Sequence, residues 1–370
     1  MSSKLLQHLS KPWKLGDLEL KNRVVFASLT RNRNLVPGQV NVDYYAQRAT
    51  AGLILSEGVL IEPQGTEWPE APGIWSDKQI SGWKKVTDAV HEKGGAIFAQ
   101  LWHLGRAANT LHNAGVPPPA PSAIRAKAGK FRLLVGTPEY SEPEAIEDPK
   151  EYIQKFKQAA INAKEAGFDG VELHSANGYL AHQFLECQSN QRTDQYGGSI
   201  ENRCRFVLEI IDAFNEVFPS QKVGIKLSPC GGFNDMGDKD VEDTKQLCKY
   251  LVTELDKRDI GYIQLFRHLA QFDTASRGNP FDLEFLVPYA KQTQIMFNGG
   301  FTAKEADDFI AEGKASSISF GRPFIANPDL VYRFFNDLDL ADPINFPSLY
   351  LYEGTNKHLG YSDYPNHPNH

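Results

Sequence analysis

Apolar and polar positions along the chain fall into short, continuous apolar runs separated by longer stretches of helical period, and this alternation persists almost to the end. The runs Arg23–Ser28, Leu53–Val59, Ala96–Trp102, Gly170–His174, Val223–Ser228, Tyr262–Phe266, Ile295–Asn298 and Ser317–Gly321 predict eight strands. They are short and apolar, as strands buried on both faces of a parallel sheet are. Helical period occupies Asp77–Lys93, Pro149–Ala166, Ser199–Phe218, Asp240–Asp259 and Ala303–Glu312. Gly94-Gly95 and Gly167 stop two of these helices, because glycine takes the left-handed turn that ends a helix without a Cβ clash. Ahead of the first strand, Trp13–Leu20 reads as a hairpin turning at Gly16-Asp17.

Eight β-α units at roughly 45 residues each predict a (β/α)8 TIM barrel with an N-terminal hairpin. No shift in composition marks a second domain, so residues 1–370 read as a single barrel domain. A doubly wound sheet also alternates β and α, and periodicity alone does not separate the two. The longest interruption is the Pro-rich segment Asn109–Pro149, with Pro117-Pro118-Pro119, after strand three. In a barrel, such an insertion lies on the catalytic face.

Composition narrows the class of function. Hydrophobic residues at 41% and charged residues at 23% fit a folded globular chain rather than a disordered one. Lys plus Arg at 39 against Asp plus Glu at 46 leaves a net charge of −7, which opposes attraction to nucleic acid or to anionic membranes. Cys187, Cys204, Cys230 and Cys248 form no C-x-x-C pair and suit a reducing compartment. No run approaches the ~20 apolar residues of a membrane helix, and the N-terminus lacks the apolar core of a secretory signal. The expectation is a cytoplasmic protein.

Missing motifs remove further chemistry: there is no G-x-G, no G-x-x-x-x-G-K-[ST], no H-E-x-x-H and no G-x-S-x-G. What remains is a set of polar residues at the C-terminal ends of the strands, where barrel enzymes place their sites. Gly299-Gly300 after strand seven and Gly321-Arg322 after strand eight can present backbone N–H groups and a guanidinium to a phosphate. The same glycines also fit plain tight turns. In the strand-four segment, His174 and Asn177 can donate to one acceptor oxygen while Tyr179 supplies a proton. A hydrogen-bonded core histidine and an Asn-Gly turn would account for His174 and Asn177 without any function.

Taken together, Ala27–Arg31, Glu57-Gly58, Ala99–Arg106, Glu172–Phe184, Asn190–Arg203 (NQRTDQYGGSIENR), Asn298–Phe301 and Gly321–Pro328 resemble the Old Yellow Enzyme family of flavin-dependent ene-reductases, in order and over nearly the whole chain. The resemblance implies FMN across the mouth of the barrel, NADPH or NADH as hydride donor, and activated alkenes as substrates of a monomer or homodimer. By the same resemblance Thr30 and Gln100 bond the flavin ring, Gly58 offers backbone at its edge, and Gly299, Gly300, Gly321 and Arg322 hold the phosphate. His174 and Asn177 bind the substrate carbonyl, Tyr179 protonates the α-carbon, and Trp102, Trp68 and Tyr361 are pocket aromatics. One departure stands out: most of the family has Arg on strand five beside the flavin, and this chain has Lys226. Lysine keeps the charge but not the planar two-pronged donor.

Other readings carry different signatures. They are an isomerase within the same family, a catalytically idle flavin- or phosphate-binding barrel, and a colourless aldolase-type barrel with Lys226 as its Schiff-base amine.

Overall fold

The computed structural model describes residues 6–127, 139–273, 276–341, 344, 346–350 and 356–370. Eight parallel strands close into a barrel: β1 Val24–Phe26, β2 Leu53–Leu60, β3 Ile97–Trp102, β4 Gly170–Ser175, β5 Val223–Leu227, β6 Tyr262–Phe266, β7 Gln294–Asn298 and β8 Ser317–Phe320. Each pairs with its neighbours in sequence, and β8 pairs with β1 through Ile318 opposite Val24. Closure excludes the doubly wound sheet, since that fold leaves two open edges. The helices are α1 Gln39–Gln47, α2 Asp77–Glu92, α3 Pro149–Glu165, α4 Leu180–Leu185, α5 Ile200–Asn215, α6 Val241–Asp256, α7 Ala303–Ala311, α8 Arg322–Ala326 and α9 Leu330–Phe335.

Local chemistry explains the helix boundaries. Ser76, Asp148, Ser199, Asp240 and Thr302 cap α2, α3, α5, α6 and α7 by accepting from first-turn N–H groups. Gly94 and Gly167 follow their helices at φ +66° and +82°. Four short or weakly patterned helices, α1, α4, α8 and α9, were not among those the periodicity predicts. Between β6 and β7 the crossover is a 3-10 segment, Leu283–Tyr289, with Pro288 inside it where an α-helix would need an N–H donor.

Period two along the strands sorts the barrel interior into layers. At the bottom, Phe98, Tyr262 and Met296 pack with Val25, Leu53 and Leu55, and the hairpin strands Trp13–Leu15 and Leu18–Leu20 close that end with Trp13, Leu15 and Leu20. Gly170 and Gly224 make room for the rings, since a Cβ there would lie 2.5 Å from Phe98 and 2.2 Å from Tyr262. Two residues further along, the layer turns polar: Gln100, Glu172, Lys226, Gln264 and Ser319 are all buried. A further step brings Trp102, His174 and Phe266 to the mouth.

At the mouth the register of β2 against β3 slips between Leu55 and Gly58. The bulge sets Gly58 against Trp102, where a Cβ would come within 2.5 Å of the indole. Just before it, Glu57 is buried. It accepts from the Arg31 N–H at 3.1 Å and from the Tyr45 hydroxyl at 3.4 Å, joining β2 to the loop after β1. Burial pushes its carboxyl up from 4.5 to about 7. A raised folded pKa contributes stability that is full below pH 4.5 and is lost as pH rises through 7, by about 3 kcal/mol at most for this shift. Glu57→Gln should therefore flatten the fall in melting temperature across that window. A fall as steep as the parent's would show that Glu57 is ionised throughout.

Arginines of the same loop tie down the C-terminal tail. Arg31 donates to the carbonyls of Leu349 (3.1 Å) and Gly360 (2.5 Å), and Arg33 to those of Lys357 (3.2 Å), Leu359 (3.1 Å) and Ser348. No helix among the described residues is long and apolar enough to cross a membrane.

Candidate active site

The C-terminal ends of the strands open onto a cavity of about 390 Å³, within the roughly 300 to 1,000 Å³ typical of small-molecule sites. Twelve of the residues singled out from sequence line it together: Thr30, Trp68, Gln100, Trp102, His174, Asn177, Tyr179, Lys226, Gly299, Gly300, Gly321 and Arg322.

One end has the backbone conformation that an anion site requires. Gly299 and Gly300 stand at φ +117° and +71°, where side chains are disfavoured. Arg267 draws the Gly299 carbonyl outward, donating to it from Nη2 at 2.7 Å and Nε at 3.0 Å, and is itself paired with Glu305 at 2.7 Å. A trans peptide points its C=O and the following N–H in opposite directions. The Gly300 N–H is thereby aimed away from Arg267. Arg322 opens α8 on the neighbouring strand end.

On the floor, Gln100 accepts from the Ser28 hydroxyl at 2.6 Å, and Lys226 is 5% exposed with its ammonium 5.4 Å from the centre of the Phe266 ring.

Opposite the anion end, three rings form a corner. His174 lies nearly parallel to Trp102, centroids 5.8 Å apart, and Tyr179 meets both edge-on at 4.8 and 4.9 Å. The Ala176 backbone N–H donates to His174 Nδ1 at 3.3 Å, which makes Nδ1 the acceptor and leaves the proton on Nε2. Burial, reinforced by the charges of Lys226 and His182, holds the imidazole pKa well below 6.5, so the ring is a neutral donor. Burial likewise pushes the Tyr179 phenol well above 10. Asn177 takes φ +56°, with its N–H held by the Ser228 hydroxyl at 2.8 Å. Its side-chain oxygen and the indole nitrogens of Trp102 and Trp68 are buried without hydrogen-bond partners. Such orphaned groups in a cavity wall are ready for a ligand.

Two sequence-predicted residues fall outside this lining. Gly58 sits behind Trp102 and serves to admit that ring. Tyr361 is a correction: it is fully buried away from the cavity, stacked on Tyr44 at 3.9 Å, with Arg31 and Arg33 over its ring and its hydroxyl accepting from Asn41. The tail is anchored so that Tyr350, packed on Trp68 at 4.6 Å, lines the cavity instead.

Sequence reasoning also passed over Phe233, Phe266 and Leu269, which line the cavity. Phe266 was findable, since it lies at the inward period-two position after Gln264. Asn234 was missed as well. It accepts from Tyr140 at 2.5 Å and donates to the Asn177 carbonyl at 2.7 Å, fixing the strand-four loop from the loop after β5.

Residues 8–340 match the family model described as the NADH:flavin oxidoreductase / NADH oxidase family. The chain is 38% identical over 377 residues to a probable flavin mononucleotide-dependent alkene reductase of Leishmania infantum, covering 98% of this chain and 99% of that protein. Among solved structures, morphinone reductase in complex with tetrahydroNAD superposes with a TM-score of 0.86 at 40% identity, covering 98% of both chains. An Old Yellow Enzyme homologue from Zymomonas mobilis reaches 0.89 at 36% identity, covering 96% of this chain and 99% of that one.

Proposed function

This chain belongs to the NADH:flavin oxidoreductase / NADH oxidase family, with Old Yellow Enzyme among its kin, and we propose that His174, Asn177 and Tyr179 carry its ene-reductase chemistry over an FMN held by the rest of the cavity. It is an FMN-dependent NAD(P)H oxidoreductase of activated alkenes. Membership sets aside the colourless aldolase-type barrel.

The donor set suits the cofactor. Gly299, Gly300, Gly321 and Arg322 would hold the phosphate, Thr30 and Gln100 the polar edge of the ring, and Lys226 would place a positive charge beside it. We read residues 1–370 as one FMN-binding unit. FMN held there would supply the hydride chemistry, passing a hydride taken from NADH or NADPH to the β-carbon of an alkene conjugated to a carbonyl or nitro group.

The observation that carries the reading is the fixed tautomer of His174: a neutral ring whose Nε2–H is the donor, in a corner closed by Trp102 and Tyr179. That N–H and the Asn177 amide N–H converge on the substrate oxygen and draw electron density from the double bond. Trp102 excludes water from one side. Tyr179, kept protonated by its burial, gives its proton to the α-carbon as negative charge builds there.

A simple phenol, whose oxygen imitates the polarised carbonyl, tests the oxygen site. His174→Ala and Asn177→Ala should each weaken binding of p-hydroxybenzaldehyde by about 1 to 3 kcal/mol, roughly 5- to 150-fold in Kd, with FMN content unchanged. Titration of the flavin absorbance measures this. Parent affinity in both variants would place the oxygen elsewhere.

A further inference from the structure

Beneath the cavity the barrel holds a carboxylate that the chemistry above leaves unused. Glu172 on β4 is 0% exposed, and both its oxygens accept: Oε1 from Gln100 Nε2 and Oε2 from Gln264 Nε2, each at 2.7 Å. Both amides are oriented in turn, Gln100 by the Ser28 hydroxyl at 2.6 Å and Gln264 by the Ser319 hydroxyl at 3.1 Å. Two hydroxyl–amide arms, one through β3 and one through β6, thus turn nitrogens, not oxygens, to one carboxyl. Both oxygens accept N–H groups, which favours the anion, while burial works against it and raises the carboxyl pKa.

A buried anion needs a cation. On the next strand, Lys226 stands in register with His174 on β4 and Gln264 on β6, and its charge is the first of the influences that oppose the upward push of burial on the Glu172 pKa. We propose that Glu172 is a positioning residue that keeps Lys226 cationic beneath the flavin, and so sets how the flavin potential varies with pH. The inference rests on the reading that Lys226 faces FMN.

The substitution of Lys for Arg gives Glu172 this role. A guanidinium stays charged when buried, whereas a buried ammonium gives up its proton readily. Burial lowers the Lys226 pKa, and the Glu172 charge opposes that fall. The titratable groups around Lys226 are Glu172 and His174 on β4, Tyr262 on β6, and Tyr179 and Arg322 in the cavity wall. His174 is held neutral, and burial pushes both tyrosines well above 10. Within that group Glu172 is the only anion.

Potentiometric titration of bound FMN, from about pH 6 to pH 9 where a buried lysine can titrate, tests this in the parent, Glu172→Gln and Glu172→Gln/Lys226→Arg. With Lys226 still protonated, the single variant lacks only an anion and should lie at or above the parent; as pH rises and its Lys226 loses the proton, it should fall steadily relative to the parent. The double variant should run parallel to the parent. A constant gap in the single variant, or a widening gap in the double, overturns the inference.

Should Glu172→Gln not fold, infrared spectra of Lys226→Met decide. Without its cation Glu172 should take up a proton and show a carboxylic-acid band, and no such band means the two are not paired. If Lys226→Met leaves the potential unmoved, the reading that Lys226 faces FMN fails first. If Lys226→Met lowers it while Glu172→Gln behaves like the parent, only the present inference fails.

Discussion

Tyr179→Phe should retain FMN, oxidise NAD(P)H and bind phenols at near-parent levels, yet reduce 2-cyclohexenone about 10²- to 10⁴-fold more slowly, the usual contribution of a positioned general acid. The substitution removes one hydroxyl and keeps the ring that packs edge-on against Trp102 and His174. The oxygen site proposed at His174 and Asn177 is therefore preserved. What is lost is the proton for the α-carbon, needed only as charge develops in the transition state, so the defect should appear in the rate with enone and not in ligand affinity. Nitroalkenes give a stabilised anion that can leave unprotonated, and their hydride step should be far less affected. Stopped-flow traces separate the two substrates. Reduction of cyclohexenone at the parent rate would remove Tyr179 from the role.

Lys226→Met should make bound FMN harder to reduce, by on the order of 3 kcal/mol or ~60 mV for a unit charge lost about 5 Å away at an effective dielectric near 20. The side chain is 5% exposed, so little solvent screening is available to blunt the effect. Lys226→Arg keeps the charge and should shift the potential much less. The measurement is a spectroelectrochemical midpoint potential. A Met variant at the parent value would show that the ammonium points away from the ring.

Much of this was legible in the sequence because the barrel writes its layers with a period of two. The step from Phe98 to Gln100 to Trp102, and from Gly170 to Glu172 to His174, carries floor, polar belt and mouth along each strand. Strand ends were accordingly placed within a residue or two, and Tyr262–Phe266 matched at both ends. The glycine turns after β7 and β8 do line the cavity, as their place at the strand ends suggests.

What stayed hidden depends on contacts between distant segments. Tyr350 and Tyr361 sit eleven positions apart near the C-terminus, and ties from distant Arg31 and Arg33, with Asn41 on the Tyr361 hydroxyl, decide which of them faces the cavity. Asn234 reaches the Asn177 carbonyl from the loop after β5, a pairing with no local signature. Gly58 looked like a ligand-contacting glycine because nothing in its neighbourhood discloses the Trp102 ring against it. The counter-charge proposed for Lys226, Glu172, lies 54 residues earlier in the chain, and their nearness is visible only once β4 and β5 are paired.

The most direct test of the whole reading is a single anaerobic spectrophotometric cycle on the purified protein. The account predicts flavin absorbance from one acid-releasable FMN per chain, bleaching on addition of NADPH or NADH, and full recovery of the colour on addition of 2-cyclohexenone with formation of cyclohexanone. A colourless protein that does not take up FMN, or a bleached one whose colour the enone fails to restore, would contradict it.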